Sequence, residues 1–241
     1  MHGSAAWRPS RVRLFLFDID GTLVSVRGAG RAAFAAALKH TYGTDGAIDR
    51  YDFRGRTDLR IVHELMTAAG IDAERIRARL DDCFRVYVRE LARLIGDGST
   101  VKLMPGVTEI VRRLDARSDA LVGLLTGNIE AGARIKLEPT GLWPLFRVGA
   151  YGGDDADRRR LPAIVRERAR RLGHDFTFDR VTIIGDTPLD VECARSCGAV
   201  AVAVATGQHG AEELATCGPD LLFGDLSDVD RVVAHLTSGA T

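Results

Sequence analysis

The hydrophobic positions of this chain follow two rhythms. In one, short apolar runs stand almost unbroken: Val12 with Leu14 to Phe17, Ala120 to Leu125, Val181 to Gly185, and Val200 to Ala205. Runs of that length, with β-branched and aromatic members, are the pattern of strands covered on both faces. A shorter strand is expected within 145–151, and Leu221, Leu222 and Phe223 form a last apolar triplet. In the other rhythm, apolar residues recur three and four positions apart. This spacing predicts helices over 31–42, 57–69, 72–94, 107–114, 130–137, 161–172 and 189–197, and a final helix ending near Leu236. Thr57 and Asp58 are placed to cap the second of these helices. Gly70, Gly96 and Gly98 punctuate the helical stretch, and Pro105–Gly106 makes a turn.

The order of these elements sets the architecture. From Gly28 to Ile95 the pattern is helical throughout. Beyond Met104, strands and helices alternate. Alternation predicts an α/β domain, a doubly wound, Rossmann-like parallel sheet with helices on both faces. The helical stretch then reads as an all-helical insertion after the first strand. The expected division is an α/β core over 11–25 and 100–241 and a helical unit over 26–99. No internal repeat is detectable.

At 241 residues the chain suffices for one core plus a modest insert. Formal net charge is zero, which leaves no electrostatic footprint for nucleic acid or an acidic membrane. No apolar run approaches the roughly 20 residues that span a bilayer. Residues Met1 to Ser10 are polar and lack the apolar segment of a secretion signal, so they are expected to form a loose arm. Of the four cysteines, Cys193 and Cys197 lie four apart on a predicted helix. No second pair or histidine accompanies them, so they read as buried thiols suited to a reducing cytoplasm. The six histidines are scattered, without the spacing of a zinc site.

Chemistry enters at the end of the first strand. Asp18 and Asp20 stand one residue apart and leave the strand on the same side of the chain. Two such carboxylates repel by roughly 4 kcal/mol at an effective dielectric of 20. Keeping both requires a cation, a proton or diverging directions. Asp20–Gly21 is also an ordinary turn signal, so the pair alone is ambiguous. Two other places share its position. Thr126 follows the second strand, and Asp186 and Asp190 follow the third. In open α/β sheets, ligands bind beyond the carboxyl ends of the strands. A generic ligand site of a doubly wound sheet accounts for this.

The string Asp18-Ile19-Asp20-Gly21-Thr22-Leu23 after an apolar strand resembles motif I of the haloacid dehalogenase-like hydrolases. Leu124-Leu125-Thr126-Gly127-Asn128 resembles motif II, and Gly185-Asp186-Thr187-Pro188-Leu189-Asp190 resembles motif IV. Motif III, a Lys or Arg, is irregular here. Where many members carry Lys-Pro-x-Pro, this chain has Asp157-Arg158-Arg159-Arg160-Leu161-Pro162. Alignment on the proline selects Arg159, whereas the form with one Arg after an acidic run selects Arg158. Arg158 is preferred, Arg159 is next, and Lys136 is a third candidate read as structural.

The resemblance implies phosphoryl transfer. Asp18 would be the nucleophile and a Mg²⁺ ligand, and Asp186 the second side-chain ligand. Asp20 would contribute its backbone carbonyl, and Asp190 would support the metal site. Thr126, with Gly127 and Asn128, would receive the phosphoryl oxygens, and the motif III arginine would add fixed charge. Asp20 separates reaction types. In the family's phosphatases this second Asp protonates the leaving alcohol and then activates water; the dehalogenases lack it. Phosphonate hydrolysis needs a cap lysine, and residues 28–95 offer only Lys39, within a helix.

The helical insertion lies at the family's C1 cap position, and Arg54-Gly55-Arg56-Thr57-Asp58 resembles the cap loop that faces the site. Arg56 would there meet a second anionic group; alternatively, Thr57–Asp58 caps a helix and the arginines are solvated. The basic run Arg166 to Arg171 reads as a solvated helix face, with Glu167 and Arg171 paired. The expected function is a Mg²⁺-dependent phosphatase resembling phosphoglycolate phosphatases and acting on a small phosphorylated metabolite. It would work as a monomer or homodimer, without nucleic-acid or membrane partners. The alternatives are a phosphomutase of β-phosphoglucomutase type and a catalytically idle ligand-binding member.

Overall fold

A computed structural model describes residues 12–238. Residues 1–11, with the expected N-terminal arm, and 239–241 lie outside the described residues. The chain opens with β1 (Arg13–Phe17) and a two-residue strand, β2 (Val24–Ser25). Helices α1 (Ala29–Tyr42), α2 (Asp58–Ala68), α3 (Ala73–Ala78) and α4 (Leu80–Ile95) precede β3 (Lys102–Leu103). Then come α5 (Val107–Asp115), β4 (Ala120–Leu125), α6 (Glu130–Leu137), β5 (Val148–Ala150), α7 (Leu161–Arg171) and β6 (Val181–Gly185). The chain continues through α8 (Pro188–Cys197), β7 (Val200–Val204), α9 (Ala211–Thr216), β8 (Leu221–Phe223) and α10 (Val229–Thr237).

Six of these strands pair in parallel in the order β5-β4-β1-β6-β7-β8. This is the α/β sheet expected from the alternation. β1 is central because every one of its apolar residues has a face to cover. Leu14 and Leu16 point to the side packed by α7, α8 and α9, and Phe15 and Phe17 to the side packed by α5, α6, α10 and the insertion. Each large side chain so buried contributes about 1.5–3 kcal/mol. The register then aligns the strand ends. Phe17 pairs with Leu124 on one flank and with Ile184 on the other. The chain therefore leaves β1, β4 and β6 at one height, with Asp18, Thr126 and Asp186 at one rim.

The insertion is helical, and it is not a separate core. Phe34 of α1 stacks on Tyr87 of α4 at 4.1 Å between centroids. These rings, with Leu38, Met66 and Leu91, belong to the same buried cluster as Phe17, Ile19, Val122 and Leu124. Glycines frame α1: Gly28 before it and Gly43 after it are both left-handed at φ 83°, a conformation only glycine adopts cheaply.

Four features differ from the periodicity. The single helix expected over 72–94 breaks at Arg79, because α3 packs on α2 while α4 packs on α1, and one straight helix cannot meet both. The ends of the insertion are joined by an antiparallel ribbon, Val24 opposite Leu103 and Ser25 opposite Lys102, too short to leave a period in the sequence. The six-residue α9 has no counterpart in the periodicity, and the strand expected within 145–151 shrinks to β5 after a 3₁₀ turn at Trp143–Leu145. Among the described residues no helix is long and apolar enough to cross a membrane.

Candidate active site

A cavity of about 430 Å³ opens between the carboxyl rim of the sheet and the helical insertion. Asp18 enters it from β1, its backbone N–H held by Ile184 O at 2.9 Å. Gly21 turns the chain at φ 85°, and a Cβ there would fall 2.3 Å from Asp186 Oδ2. Gly207 closes on the same carboxylate from β7: its Cβ would fall 1.7 Å from Asp186 Oδ2. Close backbone approach from two sides thus seats Asp186, and Thr22 Oγ1 donates to its Oδ1 at 3.1 Å.

Asp190 sits one helical turn further on. Thr187 and Asp190 form a capping box at the start of α8. Thr187 N and Oγ1 donate to Asp190 Oδ2 at 3.0 and 2.7 Å. The other oxygen, Oδ1, accepts from Arg158 Nη2. Ligand atoms of Asp18, Asp186 and Asp190 lie within 4.8 Å of one another, and all three residues are buried.

Burial makes this cluster electrostatically incomplete. Burial, reinforced by Asp190 and Asp20, pushes Asp18 up to about 6 although Arg158 pulls the other way. Asp186 is pushed up to about 8, by burial first and then by Asp18 and Asp190. One guanidinium cannot balance three buried carboxylates. Hard oxygen donors converging on one point suit a divalent cation of the Mg²⁺ type.

Arg158 is that guanidinium. Its side chain is 7 % exposed and lies 3.1 Å from Asp18 Oδ1. Nη1 also donates to Gly55 O at 3.2 Å and Nη2 to Leu125 O at 3.3 Å. Burial opposes its charge, but Asp190 and Asp18 hold its pKa above the ordinary value. Arg159, the second candidate, faces away from Asp18. It is 56 % exposed and pairs with Asp157 at 2.9 Å and Glu192 at 3.7 Å, outside the cavity. The two residues share a 3₁₀ turn, where one position rotates the side chain by about 120°. The turn is capped by the Asp157 side chain, which accepts from Arg159 N.

The other predicted residues separate into lining and supporting positions. Gly127 and Asn128 line the cavity; Thr126 is fully buried beneath it. Thr126 Oγ1 accepts from Asn128 N at 3.3 Å and Nδ2 at 2.9 Å, which leaves its hydroxyl hydrogen free to donate. The Asp20 carboxylate does not join the acidic cluster. Its Oδ2 accepts from Asn128 Nδ2 at 2.8 Å and Lys136 Nζ at 2.6 Å. Lys136 thus stands in the cavity wall, where α6 brings it 116 positions from its partner in sequence.

The loop 54–58 forms part of the wall. Thr57 caps α2, accepting from Arg60 N at 3.3 Å, as the local pattern predicted. Arg56 lines the cavity, but its guanidinium is engaged by Glu64 at 3.0 Å and lies over the Tyr51 ring at 5.4 Å. Asp58 reads from the sequence as part of the cap of α2, not as a buried carboxylate of the cavity wall. It is buried, donates from its N–H to Gly127 O at 2.7 Å and accepts from Ile129 N at 2.8 Å. The signal available was a carboxylate directly after a cap. Elsewhere, the four cysteines are free thiols, and Glu167 pairs with Arg171 at 3.3 Å on the basic helix.

The chain is similar to several known proteins. A phosphoglycolate phosphatase from Synechococcus elongatus is 28 % identical over 93 % of this chain and 99 % of its own. A pyrophosphatase PpaX from Bacillus pumilus is 25 % identical over 93 % and 97 %. The crystal structure of a hydrolase from Pseudomonas syringae superposes with a TM-score of 0.69 at 22 % identity, covering 93 % of this chain and 99 % of that one. The family described as haloacid dehalogenase-like hydrolase matches residues 12–198, most of the chain, with the strand-end acidic residues and Arg158 inside the match. The chain belongs to the haloacid dehalogenase-like hydrolases.

Proposed function

We propose that this hydrolase is a Mg²⁺-dependent phosphatase that cleaves a small phosphorylated metabolite through an aspartyl-phosphate on Asp18. The observation that carries the reading is the buried set Asp18, Asp186 and Asp190 around one guanidinium at the carboxyl rim of the sheet. Its similarity to proteins named phosphatase and pyrophosphatase supports it.

Asp18 is the nucleophile, at the exit of the central strand. Asp186 and Asp18 would hold the cation, the Asp20 backbone carbonyl would complete the protein ligands, and Asp190 holds the arrangement through Thr187 and Arg158. When bound, Mg²⁺ supplies positive charge against the phosphoryl oxygens. Arg158 adds charge that cannot be lost to deprotonation, fixed by two backbone carbonyls. Asn128, Gly127 and the Thr126 hydroxyl offer donors for those oxygens. Charge in the transition state is spread over the equatorial oxygens, so fixed donors and cations do most of the work. Asp20 gives a proton to the leaving oxygen and then takes one from the attacking water.

In this reading residues 26–99 form a cap over the core made by 11–25 and 100–241. Loop 54–58 excludes water and contributes to substrate choice, with Arg56 available once Glu64 releases it. The test is a phosphate-release screen over phosphorylated metabolites with and without Mg²⁺, using Asp18→Asn as the control. Release that needs Mg²⁺ and disappears in a folded Asp18→Asn protein is expected. Full release by that variant refutes the assignment, and isomerisation of a sugar phosphate without release would make the enzyme a mutase.

A further inference from the structure

Lys136 is a buried cation for which the roles above leave no task. Its side chain is only 4 % exposed, near the end of α6. Taking an ammonium out of water costs several kcal/mol unless it is paired and hydrogen-bonded. The partners here are specific. Nζ donates to Asp20 Oδ2 and to Asn128 Oδ1, each at 2.6 Å. Asn128 Nδ2 donates to the same Asp20 oxygen at 2.8 Å. Two donors thus converge on Oδ2 of Asp20, and among the described residues none reaches Oδ1.

We propose that Lys136 is a positioning residue: together with Asn128 it anchors Oδ2 of Asp20, so that Oδ1 is the oxygen that exchanges protons in the cavity. The inference rests on the acid–base role assigned to Asp20 in the preceding section. In the first transfer, an Asp18 carboxylate oxygen bonds to phosphorus while the bond from phosphorus to the leaving oxygen breaks. The Asp20 proton passes to that oxygen. In the second, a water oxygen bonds to phosphorus, its proton passes to Asp20, and the bond between Asp18 and phosphorus breaks. Attacking and leaving oxygens stand in line, so the proton carrier must be held opposite Asp18 in both transfers. The terminal torsion of an Asp side chain is broad, and a carboxylate without anchors samples directions from which it cannot reach the leaving oxygen. Two of the three Lys136 donors are already used, which suits an anchor better than a substrate ligand.

The test compares kcat/KM on phenyl phosphate and p-nitrophenyl phosphate, with Mg²⁺ present, for the wild type and for Lys136→Met, Lys136→Gln, Lys136→Arg and Asp20→Asn. Phenol has a pKa of about 10, so its departure leans on a donated proton; p-nitrophenolate leaves with less help. Asp20→Asn sets the scale by widening the ratio between the two substrates. Lys136→Met is expected to widen the same ratio by about ten-fold with KM little changed, and Lys136→Arg to recover part of the loss. Lys136→Gln, which keeps a donor, serves if the Met variant does not fold. Equal losses on both esters, or an unchanged ratio beside a widened one in Asp20→Asn, overturn the inference while leaving the phosphatase reading intact. No release by the wild type, or an unchanged ratio in Asp20→Asn, removes the phosphatase assignment of Asp20 and the inference with it.

Discussion

The guanidinium of Arg158 lies 3.1 Å from Asp18 Oδ1 while it also donates to Asp190 Oδ1, so one cation ties the end of β1 to the first turn of α8. The same side chain donates to Gly55 O in the loop before α2. A single residue therefore joins the sheet rim, the helix that carries Asp190 and the helical insertion. Its removal leaves two buried carboxylates without their partner. Arg158→Met should lower stability by about 3–5 kcal/mol, measured by urea unfolding, and abolish phosphate release. Arg158→Lys should recover part of the stability and little of the activity, because an ammonium cannot make the forked contacts. Arg158→Met at wild-type stability would contradict the pairing.

A divalent ion should stabilise the protein by relieving repulsion among Asp18, Asp186 and Asp190. Mg²⁺ at a hundred times its Kd should add about 2.7 kcal/mol, read as a rise in Tm that chelator reverses. Asp186→Asn should blunt the rise. A wild-type Tm indifferent to Mg²⁺ would remove the cation from the site.

Asp58 should make stability depend on pH. Burial pushes its carboxyl up to about 7, with the Ile129 N–H and Lys136 pulling it down and Asp20 pushing it further up. The folded chain therefore keeps a proton that the unfolded chain, near its ordinary pKa of about 3.9, gives up. Stability from this group is present at low pH, is lost as pH rises from about 4 to about 7, and is level above that. The slope is at most about 1.4 kcal/mol per pH unit. Asp58→Asn keeps an acceptor for Ile129 N and cannot ionise. The drop in unfolding free energy between pH 5 and pH 8 should be smaller in this variant than in the wild type. Equal drops would mean that Asp58 is ionised throughout.

Gly127 marks a close approach of the insertion to the sheet rim. A Cβ at this position would fall 2.0 Å from the carbonyl oxygen of Arg56. Backbone cannot yield as a side chain tip can, so Gly127→Ala should push loop 54–58 away and loosen the cavity. The expected readout is faster amide exchange at Asp58, whose N–H now donates to Gly127 O, and a fall in kcat/KM with the core still folded. Unchanged protection at Asp58 would show that the loop can absorb the methyl group.

What was legible and what was not follow one physical line. The strands of the sheet could be read because burial on both faces leaves a continuous apolar run. The helices could be read where an apolar stripe recurs every three to four residues. The break at Arg79 could not, because it answers to two different packing partners rather than to any local residue. The β2–β3 ribbon joins residues about eighty positions apart through two pairs, and so few residues carry no period.

The sequence by itself determined that an α/β sheet would form, that a helical stretch would interrupt it, and that Asp18, Thr126 and Asp186 would leave three strands in the order the family motifs require. Those are local facts, set by periodicity, strand exits and the motif strings around Asp18, Thr126 and Asp186. Tertiary structure alone decided which cation faces Asp18: Arg158 and Arg159 are neighbours in the chain, and the phase of one 3₁₀ turn sends the first inward and the second to solvent. It alone brought Lys136 to Asp20 and Asp58 to Ile129, partners 116 and 71 positions apart. Contacts of that range depend on how α6 and the insertion settle over the sheet, and no spacing along the chain encodes the angle at which they do so.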